Sequence, residues 1–286
     1  MSFTLRGSLP KRIRIIVEIT GAVIVLLLWF AVTDWFKLFR PSILPSPLSV
    51  ILSLKELHFD NALIRNALYS IKLNIYGLAE AIVFALPLGM IIGLVPVLRC
   101  FSERYITIIR FLPLTAVTGL FVAWFGIETN MKVQFLAFSI FLYLLPAVIE
   151  KVDNVENVYV QTAKTLGASN WQTIKTIFIP AVVSRSFDSI RVLAALSWTY
   201  IVVAEMVNAT GGGIGALTYL CARQSRIDKV FGILIVILII GYIQDKILIL
   251  LDRLFFPFKY IKKGGSSDLS LGMKIAYRTI MGKPPV

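Results

Sequence analysis

The sequence predicts an all-α membrane protein of about six transmembrane helices. Hydrophobic residues make up 57% of the chain and its mean hydropathy is +0.81, whereas soluble domains average about 45–50% apolar residues. The excess falls in blocks of roughly 20 residues, the length a helix needs to cross the ~30 Å hydrocarbon layer. Each block can span only as a helix, because lipid offers no partner for an open backbone N–H or C=O.

Taken in order, residues 1–14 form a short basic N-terminus with Arg6, Lys11, Arg12 and Arg14. Ile15–Phe36 is the first span. It is too long for a secretory signal peptide, and Ala31-Val32-Thr33 is a poor cleavage site followed by more apolar sequence. The connection Lys37–Asn66 contains Pro41, Pro45 and Pro47, which exclude a regular helix at its start. A helix from Leu48 to Glu56 can follow, with Pro47 in its first turn. Ile71–Val97, Tyr105–Ile127 and Met131–Ile149 are spans two to four. Phe187–Val207 and Lys229–Leu251 are spans five and six, so the membrane-spanning body covers 15–257. Residues 258–286 form a tail with a flexible break at Gly264-Gly265-Ser266-Ser267.

The net charge of +13 raises nucleic acid as a partner, but membrane orientation explains it better. With the N-terminus inside, Lys and Arg favour inner over outer segments by roughly two to one. Both termini are therefore expected in the cytoplasm. Cys100 and Cys221 fall at opposite membrane faces and form no disulfide framework.

Between spans four and five, Glu150–Arg191 is polar and about 40 residues long, too long for a mere connector. Val158–Leu166 reads as a helix stopped by Gly167. Ser169 and Gln172 have capping-box spacing, so a second helix runs through Trp171, Ile174, Lys175 and Phe178 and stops near Pro180. The expected shape is helix, tight reversal, helix, over a loop at 150–186. Such short helices are marginal alone. They either fold back on the bundle or dock into a partner.

The stretch Gln161-Thr162-Ala163-Lys164-Thr165-Leu166-Gly167, continuing to Ile177-Phe178-Ile179-Pro180, resembles the EAA motif of ABC importer permeases. Ala163, Gly167, Ile177 and Pro180 match at the right spacing, while Gln161, Thr162 and Ile179 depart from it. The likeness is closest to permeases of nitrate, sulfonate, taurine and bicarbonate importers. It extends through Leu44-Pro45-Ser46-Pro47 with Val50, Pro87-Leu88-Gly89 with Gly93, Arg110 with Pro113, and Trp124-Phe125-Gly126-Ile127. Leu166-Gly167-Ala168-Ser169, Ala204-Glu205-Met206, Gly213 with Gly215, and Gly241-Tyr242 with Asp245 continue it.

This resemblance implies a type I importer (MetI-like) permease fold with a cytoplasmic coupling helix, set in the inner membrane. The coupling residues it implies are Gln161, Thr162, Ala163, Leu166, Gly167, Ala168, Ser169 and Pro180. It also implies a separate ATPase subunit that binds the ATP, a second permease copy, and a periplasmic or lipid-anchored solute-binding protein. The chain itself is expected to hold no cofactor and to perform no enzymatic step.

Glu80, Arg110, Pro113 and Glu205 are the candidate pathway residues. Glu80 sits near the middle of span two, where a charge costs ~2.5–3.5 kcal/mol and turns inward. It serves the pathway, joins a structural pair, or stays protonated and hydrogen-bonded. Arg110 either snorkels to the inner interface or draws an anion into the path, and Pro113 kinks or breaks its helix. Glu205 is expected at the outer interface, although its counterpart in the family lies by the external gate. Gly89 and Gly93 permit a close helix approach, between copies or within one chain. Gly211-Gly212-Gly213-Ile214-Gly215 is expected to be a flexible outer turn, since no Gly-Lys-Ser/Thr follows. An ATP-independent transporter or channel is the alternative, but it should show repeat symmetry that the sequence lacks. One histidine, His58, and no nucleophile motif argue against a membrane enzyme.

Overall fold

The computed structural model describes residues 10–260. Most of the expected basic N-terminus, and the tail beyond 260 with its glycine-serine break, lie outside them. Among the described residues every regular element is helical. Five helices are long and apolar enough to cross a membrane, and a broken pair makes a sixth span.

Helix α1 (Lys11–Phe30) continues through a π-helical turn at Ala31–Trp35. The most apolar stretch of this span has no buried residue among the described residues, while Trp29 near its end packs on Phe231. Helix α2 (Pro47–Phe59) begins where expected, with Pro47 in its first turn and the Ser46 hydroxyl accepting from the Ser49 N–H. Helix α3 (Leu63–Leu94) starts eight residues before the expected Ile71.

The core of the bundle is α3 against α6 (Thr129–Asp153). Gly77, Ala81, Ala85, Gly89 and Gly93 recur every four residues along α3, so they share one face. A Cβ on Gly77, Gly89 or Gly93 would come within 2.8–2.9 Å of Leu136, Val148 or Val152 side chains. The small pair Gly89 and Gly93 therefore serves packing within one chain. The α6 side contributes Leu136, Ile140, Leu144 and Val148, all fully buried.

The expected third span, Tyr105–Ile127, is two helices rather than one. Helix α4 (Pro96–Ile109) and helix α5 (Leu114–Phe125) meet at 104°. Pro113 has no N–H to continue the ladder and drives Leu112 out of helical geometry. The carbonyls of Ile108 and Ile109 instead accept tight bonds from Phe111 and Leu112. Phe121 fixes α5 to α6, with its ring 5.6 Å from Phe135 and 5.4 Å from Phe138.

Pro180 does not end the second elbow helix, contrary to expectation. Helix α8 (Asn170–Thr173) passes through a π-helical turn at Ile174–Phe178 into α9 (Ile179–Val207). Together they form one 38-residue run. The Ile179 N–H reaches back five residues to the Ile174 carbonyl, so the ladder changes register just before the residue that cannot donate. Since α6 stays helical to Asp153, the excursion between spans is shorter than the 150–186 loop expected. Helices α10 (Ile214–Arg223) and α11 (Ile227–Phe255) complete the bundle.

At the Gly213 end of the bundle, Arg226 clamps α2 to α11. Its guanidinium donates to Glu56 at 2.7 Å and to both Asp228 oxygens at 2.8 and 3.0 Å, while the Lys229 ammonium lies 3.3 Å from Glu56. Hydrogen bonds from Arg226 and Lys229 hold the Glu56 carboxyl below the usual carboxylate range.

Two predictions follow from packing and charge. Gly89→Val should destabilise the protein by about 1–3 kcal/mol through overpacking, with part recovered by adding Val148→Ala, as read by thermal unfolding in detergent. The Glu56 contribution is complete above its unfolded pKa of about 4.3 and is lost as pH falls through the lower folded value. The thermal midpoint of wild type should therefore fall towards that of Glu56→Gln below about pH 4.

Candidate translocation and coupling sites

The elbow at the Gly167 end is built by local backbone chemistry. Helix α7 (Asn157–Thr165) closes with Gly167 N–H on the Lys164 carbonyl and Ala168 N–H on the Ala163 carbonyl, each at 2.9 Å. These two bonds satisfy the last open carbonyls, with Gly167 at φ +81°. Two residues on, the Ser169 hydroxyl accepts from the Gln172 N–H and the Gln172 side chain accepts from the Ser169 N–H. The reversal is thus fixed on both sides. Gln161, Thr162, Ala163, Leu166, Gly167, Ala168 and Ser169 come together on it, while Pro180 lies a short way along the α9 run.

Among the described residues, nothing of the chain covers the apolar side chains that the elbow presents. Leu166 is 81% exposed and Trp171 69%. Beneath them the base is tied down. Thr173 is buried, and Ile177 and Phe178 pack on the main core. The Arg185 guanidinium donates to the Asn154 carbonyl, joining α9 to the end of α6. Arg99 and Asp153 pair α4 with the same helix end.

Glu80 faces a different place. It lies on a cavity of about 730 Å³ between α3, α5 and α6, walled by Phe84, Phe121, Trp124, Phe138 and Phe141. The Gln134 amide donates to both carboxylate oxygens at 2.9 and 3.1 Å. Arg110 and Pro113 sit apart at the α4–α5 break, both exposed.

Glu205 is not at the interface, as had been expected, but is 0% exposed. Ser70 Oγ donates to it at 2.6 Å and the Gly215 N–H at 2.7 Å. The same serine accepts from Ile214 N–H, and Asn66 accepts from Gly213 N–H, each at 2.8 Å. The glycine segment is consequently packed, not a flexible turn. At Gly213, φ is +109° and a Cβ would lie 2.2 Å from the Glu205 carboxyl carbon, so only glycine fits. Lys132, fully buried, donates to the Gly212 carbonyl at 3.4 Å and lies over the Tyr69 ring.

A second buried network crosses the middle of the bundle. Asn74 donates to Ser197 at 2.7 Å, Gln244 donates to Asn74 at 3.2 Å, and the Trp198 indole donates to Gln244 at 2.7 Å. Arg191 and Asp245 pair nearby, joining α9 to α11 at 2.8 Å. Sequence reasoning passed over Asn74, Gln134, Gln244 and Lys132. Polar side chains inside apolar spans were the available signal, since they normally turn towards protein.

A multi-pass helical bundle with a preformed elbow at one end is the architecture that the resemblance to membrane transport permeases implies. A family model described as "Binding-protein-dependent transport system inner membrane component" matches residues 85–256, and the chain belongs to that family. The resemblance to ABC importer permeases therefore stands. The taurine transport system permease protein TauC of Escherichia coli is 26% identical over 259 residues, covering 89% of this chain and 94% of that protein. A Methanocaldococcus jannaschii protein carrying an ABC transporter permease name is 29% identical over 202 residues, 71% of this chain and 76% of its own length. A chain of a solved amino acid ABC transporter has a TM-score of 0.54 at 16% identity, covering 71% of this chain and 96% of that one. It shares the fold.

The buried Glu205 network makes a direct prediction. Glu205→Ala strands Lys132, Ser70 and the Gly215 N–H in a dry site and should destabilise the protein by about 3 kcal/mol. A thermal-unfolding comparison with Glu205→Gln, which keeps an acceptor, separates lost hydrogen bonds from lost charge.

Proposed function

We propose that this ABC importer permease pairs with a second copy of itself to form the path for a small solute, and that its Gly167 elbow docks on a separate ATPase subunit. The observation that carries this reading is the unbroken run from the elbow into α9, 38 residues long, or ~57 Å at 1.5 Å per residue. An element bound below the membrane can thus move residues at the far face without any hinge. The exposed Leu166 and Trp171 supply an apolar docking surface.

The energy comes from the partner, because the chain carries no Gly-Lys-Ser/Thr phosphate loop. As ATP closes the ATPase dimer, two elbows draw together and tilt both α9 helices, exposing the path alternately to each side. The Lys and Arg bias supports an elbow and both termini in the cytoplasm. The Gly213 end then faces outward, where a solute-binding protein would deliver its cargo. The unburied α1 span fits contact with the second copy or with lipid. Glu80, Arg110, Pro113 and Glu205 remain the pathway candidates. The taurine permease among the relatives, together with the motif resemblance, favours a small anion such as taurine, an alkanesulfonate, nitrate or bicarbonate.

Gly167 tests the coupling. A β-branched residue resists its left-handed backbone by about 1–2 kcal/mol, whereas asparagine accepts it. Nothing crowds a Cβ there, so backbone strain alone separates the two. In proteoliposomes, Gly167→Val should hydrolyse ATP with little uptake, while Gly167→Asn should keep most uptake. Equal coupling in both variants would remove the elbow from the mechanism.

A further inference from the structure

We infer that the Glu80 cavity selects a solute bearing a positively charged nitrogen. This inference rests on the permease reading and narrows its solute class. Glu80 has one hydrogen-bonding partner among the described residues, the Gln134 amide. That amide donates to both oxygens and leaves each with a further lone pair open towards the cavity. Among the described residues, no Lys or Arg lines the cavity. On the same face of α3, Lys72 stands two turns away, ~12 Å along the axis, and lies over the Tyr76 ring.

The remaining walls mix aromatic rings with aliphatic side chains such as Val83, Leu88 and Ile91. Phe84, Phe121, Trp124, Phe138 and Phe141 line the same cavity as the carboxylate, and ring faces attract cations. A volume of about 730 Å³ is that of a small-molecule site. A simple anion such as nitrate or an alkanesulfonate would meet repulsion from Glu80 with no cation in the wall to offset it. A lipid tail would gain nothing from the carboxylate. An ammonium group satisfies both features at once. Among the solutes proposed above, an aminosulfonate fits, entering with its amine towards Glu80.

The test uses the permease–ATPase complex in nanodiscs without its binding protein, so that selection by that protein does not intervene. Trp124 fluorescence is titrated with ethylamine, taurine, ethanesulfonate and nitrate, with Trp124→Phe showing which signal arises in the cavity. Ethylamine and taurine should bind on the order of ten-fold more tightly than ethanesulfonate or nitrate. Glu80→Gln should abolish that preference and Glu80→Asp should retain it, a rescue that a merely structural role would not give. Equal binding of ethanesulfonate and taurine, an unchanged preference in Glu80→Gln, or no Trp124-dependent signal with either amine would overturn the inference. ATP-driven uptake by the complete importer is measured separately. Its loss in wild type overturns the permease–ATPase reading, whereas its presence without amine preference overturns the Glu80 assignment alone.

Discussion

The close approach of α3 and α6 is the constraint on which the rest of the molecule depends. In a bilayer, helices gain little from hiding apolar surface, since lipid tails are as apolar as leucine. Packing and interhelical hydrogen bonds must hold the bundle together. The row from Gly77 to Gly93 removes side chains from one face of α3 and lets Leu136, Val148 and Val152 seat against its backbone. With that pair fixed, α9 packs against both helices, and α10 and α11 pack on α9.

Onto this frame the polar groups are placed in layers. Asn74, Ser197, Gln244 and Trp198 join α3, α9 and α11 in mid-bundle. Glu205, Ser70, Asn66 and Lys132 gather the glycine segment at one end. At the other, Lys259 reaches Asp188 on α9 and Asp252 on α11, and the Tyr260 hydroxyl also donates to Asp252. Helix α9 takes part in every layer. Any tilt at its root would have to be accommodated by these bonds.

Much of this was legible in the sequence, for reasons of local chemistry. Spans declare themselves through length and apolarity, and the elbow through Gly167, Ser169 and Gln172, whose roles depend on nearest neighbours alone. The errors arose where tertiary context decides. Pro113 breaks its span as its missing N–H implied, whereas Pro180 was absorbed by a change of register that no spacing rule announces. Glu205 and the glycine segment looked exposed because each, taken alone, has no reason to be buried. Together with Ser70, from a distant helix, they complete one another's hydrogen bonds. The Glu80 cavity needs three separated segments, so only its carboxylate could be singled out beforehand.

The π-helical turn at Ile174–Phe178 sets the phase of everything beyond it. One surplus residue in a helix rotates all later side chains by about 100° about the axis. Arg191 meets Asp245, Ser197 meets Asn74, and Glu205 meets Ser70 because that offset was introduced at the root of α9. A helix of the same composition without the offset would turn those groups about 100° away from these partners. The angular bearing of the whole far end is therefore written into five residues beside the elbow.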